Sequence, residues 1–275
     1  MKHILIAGAR SYIGESFKEF LRQWPDEYTV DVIETKGLEP KPKLFENIDA
    51  IFCVAGIAHI RETAENRHLY FDVNRDLVVC IAKAAKAAGV KQFILLSSMS
   101  VYGLKVDRIT KDMEPKPITA YGQSKLEADE EIKKLEDENF IFTCLRPPMV
   151  YGKNCTGNYQ SLRKFALKCP IFPNYKNQRS MIYIGNLCEF VKECIEDNKR
   201  GLLFPQNAEY TNTSEMVKQI AAEHGKKIRL TRVFNWAIKI APMDIVKKVF
   251  GDLVYEPVDT VGKYGLMESI RLTEE

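Results

Sequence analysis

Residues 3–14 read HILIAGARSYIG: a short run rich in Ile and Leu, a turn opened by Gly8 and closed by Gly14, and then, from Ile13 to Leu21, apolar residues at helical spacing. That is strand, turn, helix, the context a dinucleotide-binding turn requires. The N–H groups and macrodipole at a helix start favour a pyrophosphate, while Gly8 and Gly14 permit the tight turn and close helix packing. Arg10, Ser11, Tyr12 and Ile13 are the residues placed to line it. Ser11 stands where many such turns have glycine, but serine is small and donates a hydrogen bond of its own. A glycine turn between any strand and any helix would read the same, so the rest of the chain has to decide.

Working outward, a second apolar run, Thr29–Ile33, ends at Glu34, and a third, Ala50–Ala55, ends at Gly56. Between them LEPKPKLFENID (38–49) carries prolines that exclude a central strand, leaving a loop with at most one helical turn. Residues 72–88 are rich in Ala, Leu and Lys and stop at Gly89, the place for a C′ glycine. Phe93–Leu96 is the next strand, followed by the polar cluster SSMS and the breaker EPKPIT. A helix is expected from Tyr121 to Glu138, and a strand over Ile141–Leu145, stopped by Arg146-Pro147-Pro148. Strands alternating with helices imply right-handed βαβ units, hence an α/β fold with a doubly wound parallel sheet.

Past residue 152 the texture changes. KNCTGNY and PIFPNYKNQR are loop-rich, Gly185–Asn198 and Thr213–Gly225 are helix candidates, the latter capped by Thr213 or Ser214, and Gly201–Phe204 is a further strand. Phe234–Phe250 is amphipathic. The expected division is a dinucleotide-binding domain over 1–152, to which 181–207 returns, and a small substrate-binding lobe built from 153–180 and 208–275 folded onto the strand ends.

Composition narrows the function classes. With 275 residues, 28% charged and 45% hydrophobic, the chain has globular proportions, and a net charge of +3 gives no global field favouring nucleic acid or anionic lipid. The seven cysteines form no CxxC pair, which reads as reduced and cytoplasmic. His3, His59, His68 and His224 lack metal-ligand spacing, so no metal is expected. No stretch approaches the ~18 apolar residues of a membrane span.

Glu34 follows Gly14 by twenty residues at the end of the second strand, where an acid accepts hydrogen bonds from both adenosine ribose hydroxyls. That favours NAD. Arg10 points the other way, since a guanidinium near the ribose suits the 2′-phosphate of NADP. Tyr121-Gly122-Gln123-Ser124-Lys125 spaces a phenol and an ammonium four residues apart on one helix face. A phenol with pKa ~10 is a poor base at neutral pH, but a nearby cation stabilises the phenolate. Tyr121 can then take a proton from a substrate hydroxyl as hydride leaves the same carbon. Ser98, at the end of the fourth strand, sits where doubly wound sheets bind ligands and can hydrogen-bond the reacting oxygen. A tyrosine and a lysine on a helix are more often merely amphipathic; it is the joint pattern that carries weight.

These pieces, with DAIFCVAGIAH (49–59), Asn74 in FDVNRD, GVKQFILLSSMSVYG (89–103), LRPPMVYG (145–152) and RSMIYIGNL (179–187), resemble the extended short-chain dehydrogenase/reductase superfamily, in its NAD-dependent sugar-nucleotide epimerase/dehydratase branch similar to UDP-glucose 4-epimerases. The resemblance covers about residues 3–190. It implies a Rossmann domain holding NAD, Tyr121 as acid/base, Lys125 on the ribose and tuning the phenol, and Ser98 completing the catalytic set. It also implies that Val54, Ala55, Gly56 and Pro148 line the cofactor, with Asn74 beside it in an architectural role. Ser100, Asn158 and Arg179 are implied on the substrate side, the last two at the diphosphate of a nucleotide sugar, which suits a guanidinium. A homodimer paired through the helices near 72–88 and 121–138 follows by resemblance alone.

The chain departs from the family pattern in three places. The acid that usually holds the adenine is missing, its region shortened to the EPKPK loop (39–43). Met99 and Ser100 follow Ser98 where dehydratases carry an acid, so elimination of water lacks its proton shuttle. The late arginine has only Arg229 and Arg232 as candidates. The expected activity is 4-epimerisation of a UDP-hexose or UDP-N-acetylhexosamine through a transient 4-keto sugar. The alternatives are net reduction of a keto sugar nucleotide or another ketone by NAD(P)H, and a cofactor-binding regulator without catalysis.

Overall fold

In the computed structural model, residues 1–58, 60–103, 106–233, 235, 246 and 249–275 are described. They form two compact units: Met1–Gly103, Pro115–Pro147 and Cys188–Leu203 make the first, and Leu104–Glu114, Pro148–Leu187 and Phe204–Glu275 the second.

The first unit is built on six strands, β1 (Lys2–Ala7), β2 (Tyr28–Ile33), β3 (Ala50–Cys53), β4 (Gln92–Leu96), β6 (Ile141–Leu145) and β10 (Gly201–Leu203). Every pairing is parallel, in the order β2-β1-β3-β4-β6-β10. β3 and the first four residues of β4 are buried residue by residue, which explains why they read as continuous apolar runs rather than alternating ones. Leu5, Ile51, Phe93 and Phe142 of the sheet share one core cluster with Ala82 and Ala85 of α3 (Val78–Ala87) and Ala128 and Ile132 of α4 (Ala120–Lys133). Burying each large aliphatic or aromatic side chain contributes about 1.5–3 kcal/mol.

Several boundaries move from the sequence reading for identifiable reasons. The helix expected over 72–88 begins earlier, at α2 (Arg67–Phe71), and passes through a π-helical stretch, Asp72–Leu77, that turns Asn74 fully inward. Gly89 takes φ +84° after α3, as a C′ glycine should. The SSMS cluster is not a plain loop: Ser98 caps a 3-10 turn, Met99–Tyr102, accepting a hydrogen bond from the Ser100 N–H. α4 ends at Lys133, five residues short of Glu138, because Asp137 instead accepts from the Asn139 and Phe140 N–H groups and turns the chain into β6.

In the second unit the strands are two or three residues long and pair over long sequence distances. β5 (Arg108–Ile109) pairs with β13 (Val254–Tyr255), β7 (Met149–Tyr151) with β9 (Met181–Tyr183), β8 (Ile171–Pro173) with β12 (Arg229–Thr231), and β11 (Gln206–Asn207) with β14 (Thr260–Val261). The β5 pairing assigns 104–114 to this unit, whereas the sequence division put those residues in the first domain. α7 (Thr213–Glu223) is capped by Asn212, not by Thr213 or Ser214: the Asn212 Oδ1 accepts from Glu215 N–H, while the Thr213 and Ser214 hydroxyls donate to the Val249 and Pro173 carbonyls. Most of the amphipathic stretch Phe234–Phe250 lies outside the described residues.

Candidate active site

The dinucleotide turn folds as its sequence demands. Gly8 takes φ +126°, and a Cβ there would stand 3.0 Å from the Ala55 nitrogen and from a Val54 methyl. Only glycine lets β1 run this close to the end of β3. Gly14 is packed as tightly, 3.1 Å from Ile6 and Val54 for an added Cβ. Ser11 caps α1 (Tyr12–Leu21) by accepting from the Gly14 N–H, so the residue that departs from the glycine pattern has a local role. Arg10, in the left-handed region at φ 66°, donates from Nε to Glu34 Oε2 at 3.0 Å, and Nη2 also reaches that oxygen. Glu34 Oε1 accepts from the Lys36 and Thr35 N–H groups. The Lys36 N–H first, then Arg10, hold this exposed carboxylate below its ordinary pKa. The two residues that argue for opposite cofactors therefore form one ion pair. A glycine cradle over a helix N-terminus, with an acid at the end of β2, fits an NAD-type dinucleotide.

The candidate catalytic groups Ser98, Tyr121 and Lys125 come from neighbouring elements of the same unit. Tyr121 and Lys125 lie one turn apart on α4, whose start is fixed by Thr119 Oγ1 accepting from Gly122 N–H and by the Glu62 carboxylate accepting from Ala120 N–H. Gly122 matters here because a Cβ would stand 2.6 Å from the Ser100 carbonyl oxygen. The bare glycine lets α4 press against the 3-10 turn that Ser98 caps, and Ser98 draws the Tyr121 phenol's pKa down. Ser98 and Ser100 hydroxyls are themselves 3.1 Å apart.

Lys125 is buried and donates to Leu96 O at 2.9 Å and Ala55 O at 3.4 Å, the carbonyls at the ends of β4 and β3. An added Cβ on Gly56 would meet Lys125 Nζ at 3.0 Å. Asn74 completes this wall: its Oδ1 accepts from Ile57 N–H, and its Nδ2 donates to Ile57 O and Ser124 Oγ, pinning the β3 loop to α4.

Burial pushes the Tyr121 phenol up, the Ser98 hydrogen bond pulls it down, and the charge of Asp129 and the proximity of Tyr70 push it up again; the net direction is upward. The Lys125 amine is itself shifted downward, by burial first, and donates to the Leu96 and Ala55 carbonyls.

Pro148, Asn158 and Arg179 belong to the second unit. Asn158 opens α5 (Asn158–Lys168) after Gly157, which takes φ +86°. Arg179 pairs its backbone with Thr211 in both directions, donates from Nη1 to Gly251 O at 3.1 Å, and has its charge opposed by burial and favoured by Asp252, with a net downward shift. Both line one cavity of about 230 Å³, shared with Met149, Met181, Thr211 and Met216. Sequence reasoning did not single out these four: Met149 and Met181 fall within the motifs LRPPMVYG and RSMIYIGNL, while Thr211 and Met216 come from a more distant stretch that no local pattern marks. It also missed Asp129, which the spacing does mark, four residues past Lys125 on the same helix face.

The profile of the NAD-dependent epimerase/dehydratase family matches residues 4–203. The chain belongs to that family. NAD is the family's cofactor, and the cradle described above fits it. A UDP-glucose 4-epimerase of Vibrio cholerae is 27% identical over 92% of this chain and 86% of its own length. An N-acetyl-alpha-D-glucosaminyl-diphospho-ditrans,octacis-undecaprenol 4-epimerase of Escherichia coli O157:H7 is 29% identical over 62% of this chain and 54% of its own. Among solved structures, a UDP-glucuronic acid 4-epimerase from Bacillus cereus in complex with NAD superposes with TM-score 0.76 at 16% identity, over 99% of this chain and 95% of the other. A dTDP-4-dehydrorhamnose reductase from Clostridium acetobutylicum does so with TM-score 0.70 at 18% identity, over 83% and 82%. At those identities the two structures establish the Rossmann-type fold. Among the described residues no helix is long and apolar enough to cross a membrane, and no group of three His, Cys, Asp or Glu side chains could hold a metal ion.

Proposed function

We propose that this protein is a 4-epimerase of a UDP-linked hexose or N-acetylhexosamine. The observation that carries the reading is the buried Lys125 ammonium one helical turn past Tyr121 on α4, beside a glycine cradle that fits a dinucleotide. The cofactor, when bound, supplies reversible hydride acceptance at its nicotinamide. Tyr121 takes the proton of the C4 hydroxyl, relayed through or steadied by Ser98, and gives it back after the 4-keto sugar has turned over. Lys125 holds the cofactor ribose, and Gly8, Arg10, Ser11, Tyr12, Ile13, Gly14, Glu34, Val54, Ala55 and Gly56 hold the rest of the dinucleotide, with Pro148 alongside. Glu34 keeps NAD preferred over NADP. The second unit is the substrate lobe in this proposal. Arg179 and Asn158 bind the substrate diphosphate, and Ser100 contacts the sugar. The chain works in the cytoplasm as a homodimer, which light scattering of the purified protein checks.

The test is incubation with UDP-glucose, UDP-galactose and their N-acetylated counterparts without added cofactor, read by proton NMR. Inversion at C4 supports the proposal; an unchanged C4 in every nucleotide sugar rejects it. The undecaprenyl-diphosphate sugar named for the E. coli relative belongs in the same panel, since Met149, Met181, Met216 and Leu162 give the second-unit cavity an apolar side. Arg10 favours a second reading, a reductase of a keto sugar nucleotide using NADPH, in which stoichiometric NAD(P)H consumption replaces inversion. The intact Ser98, Tyr121 and Lys125 set speaks against a purely regulatory role.

A further inference from the structure

Directly beneath the reacting groups lies a buried ion pair that the proposed mechanism does not use. Asp129 follows Lys125 by four residues and Tyr121 by eight, so all three share a face of α4. Its carboxylate and the Arg146 guanidinium, at 5% and 6% residue exposure, meet with Arg146 Nε donating to Asp129 Oδ2 at 2.9 Å. The Ser97 hydroxyl donates to the same oxygen at 2.8 Å. Arg146 Nη1 donates to the Tyr102 hydroxyl at 2.7 Å, and the guanidinium lies over the Tyr102 ring, 5.2 Å from its centre. Each partner adjoins a part of the site. Ser97 precedes Ser98, Asp129 is one turn from Lys125, and Tyr102 ends the 3-10 turn that Ser98 caps. Arg146 continues β6 and precedes Pro147, whose carbonyl accepts from Met99 N–H.

We propose that Asp129 and Arg146 are positioning residues for the Ser98–Tyr121–Lys125 site, locking its carriers together through one buried ion pair and balancing each other's charge beneath the phenol. The proposal rests on the catalytic reading above. A buried ion pair contributes little net stability over apolar residues of the same volume, because desolvating two charges offsets their attraction. What it does supply is a directional joint between β4, α4, β6 and the 3-10 turn. Its second effect is electrostatic. Eight residues of helix span about 12 Å, and at an effective dielectric of ~20 an unbalanced unit charge there shifts a phenol by about 1 pH unit. The groups around this cluster are Cys53 from β3, Ser97 and Ser98 just past β4, Tyr70 from α2, Tyr102 from the 3-10 turn, Cys144 from β6 and Arg146 just past it, and Tyr121 and Lys125 from α4 itself. Of these, Arg146 and Lys125 are cationic and Asp129 is the carboxylate.

The test uses full-length protein labelled with 13Cζ-tyrosine, the Tyr121 signal being assigned by its loss in Tyr121→Phe. Asp129→Asn leaves the Arg146 charge unbalanced, and the Tyr121 titration moves down by about 1 pH unit. Asp129→Asn combined with Arg146→Gln removes both charges of the pair together; the titration returns to within about 0.3 pH unit of wild type, while turnover falls about tenfold at unchanged KM because the carriers lose their common anchor. A wild-type titration in a folded Asp129→Asn variant, or wild-type turnover in the double variant, overturns the proposal. If Asp129→Asn does not fold, the turnover of the double variant decides alone. The phenol readout needs no substrate. A wild-type protein inactive on every sugar therefore counts against the catalytic reading, and an unmoved phenol against this inference.

Discussion

Tyr121 is where chemistry and environment pull against each other. Its phenol is pushed above the ordinary tyrosine range by burial before anything else, and the Ser98 hydrogen bond only partly offsets this. Replacing it by phenylalanine removes the proton carrier while leaving the ring in place, so turnover should fall by about 10²–10⁴-fold with NAD affinity unchanged; steady-state kinetics beside an NAD titration checks both halves. In the chain without dinucleotide, the phenol should titrate above free tyrosine. Adding NAD⁺ should lower that midpoint, since a cation near a phenol favours its charged form. The 13C shift of Tyr121 followed against pH with and without NAD⁺ measures the difference, and an unchanged midpoint would separate phenol from nicotinamide. At this scale the sequence offered candidates and was silent about their state. Spacing put Tyr121 and Lys125 on one face, but no pattern says that the lysine's hydrogen bonds go to Leu96 and Ala55 carbonyls or that Arg10 takes the Glu34 carboxylate.

Among elements, the contact between α4 and the 3-10 turn Met99–Tyr102 is the one on which the site depends. A Cβ on Gly122 would stand 2.6 Å from the Ser100 carbonyl oxygen, backbone that cannot swing aside. Gly122→Ala should therefore cost about 1–3 kcal/mol of stability, read by urea unfolding, and should lower turnover more than Gly89→Ala, whose added Cβ meets nothing within 4 Å. The helices and strands flanking this contact were legible because each buries a long apolar run or a periodic face. The π-helical stretch around Asn74 was not legible: an inserted residue in a helix leaves composition and approximate period unchanged. Nor was the end of α4, where a side-chain turn at Asp137 competes with good helix formers.

Over the whole molecule, the two units differ in how sequence encodes them. The first alternates strand and helix in order, so its topology follows from chain order and handedness. The second is held by strands of two or three residues whose partners lie far away, as Ile171–Pro173 with Arg229–Thr231, and such pairings leave no periodic trace. A polar joint at Glu274 holds its C-terminal end instead. Glu274 accepts from Arg163 Nε and the Tyr159 hydroxyl and lies 2.6 Å from His224 Nε2. Burial alone would raise this carboxyl's pKa, but the His224, Tyr159 and Arg163 hydrogen bonds outweigh it and the net shift is downward. A carboxylate with a depressed folded pKa stabilises above its unfolded value, ~4.3, and loses that contribution as pH falls through the folded one. Glu274→Gln should then cost about 2 kcal/mol at pH 7, and the gap between variant and wild type should close on acidification below pH ~4, as thermal melts across a pH series would register.

The measurement that bears most directly on the central claim is single-turnover conversion of a UDP-sugar deuterated at C4 by the purified protein with no cofactor added. Inversion at C4 with the deuterium retained in the product is expected, abolished in Tyr121→Phe. Inversion with loss of deuterium to solvent, or full activity in the phenylalanine variant, would contradict it.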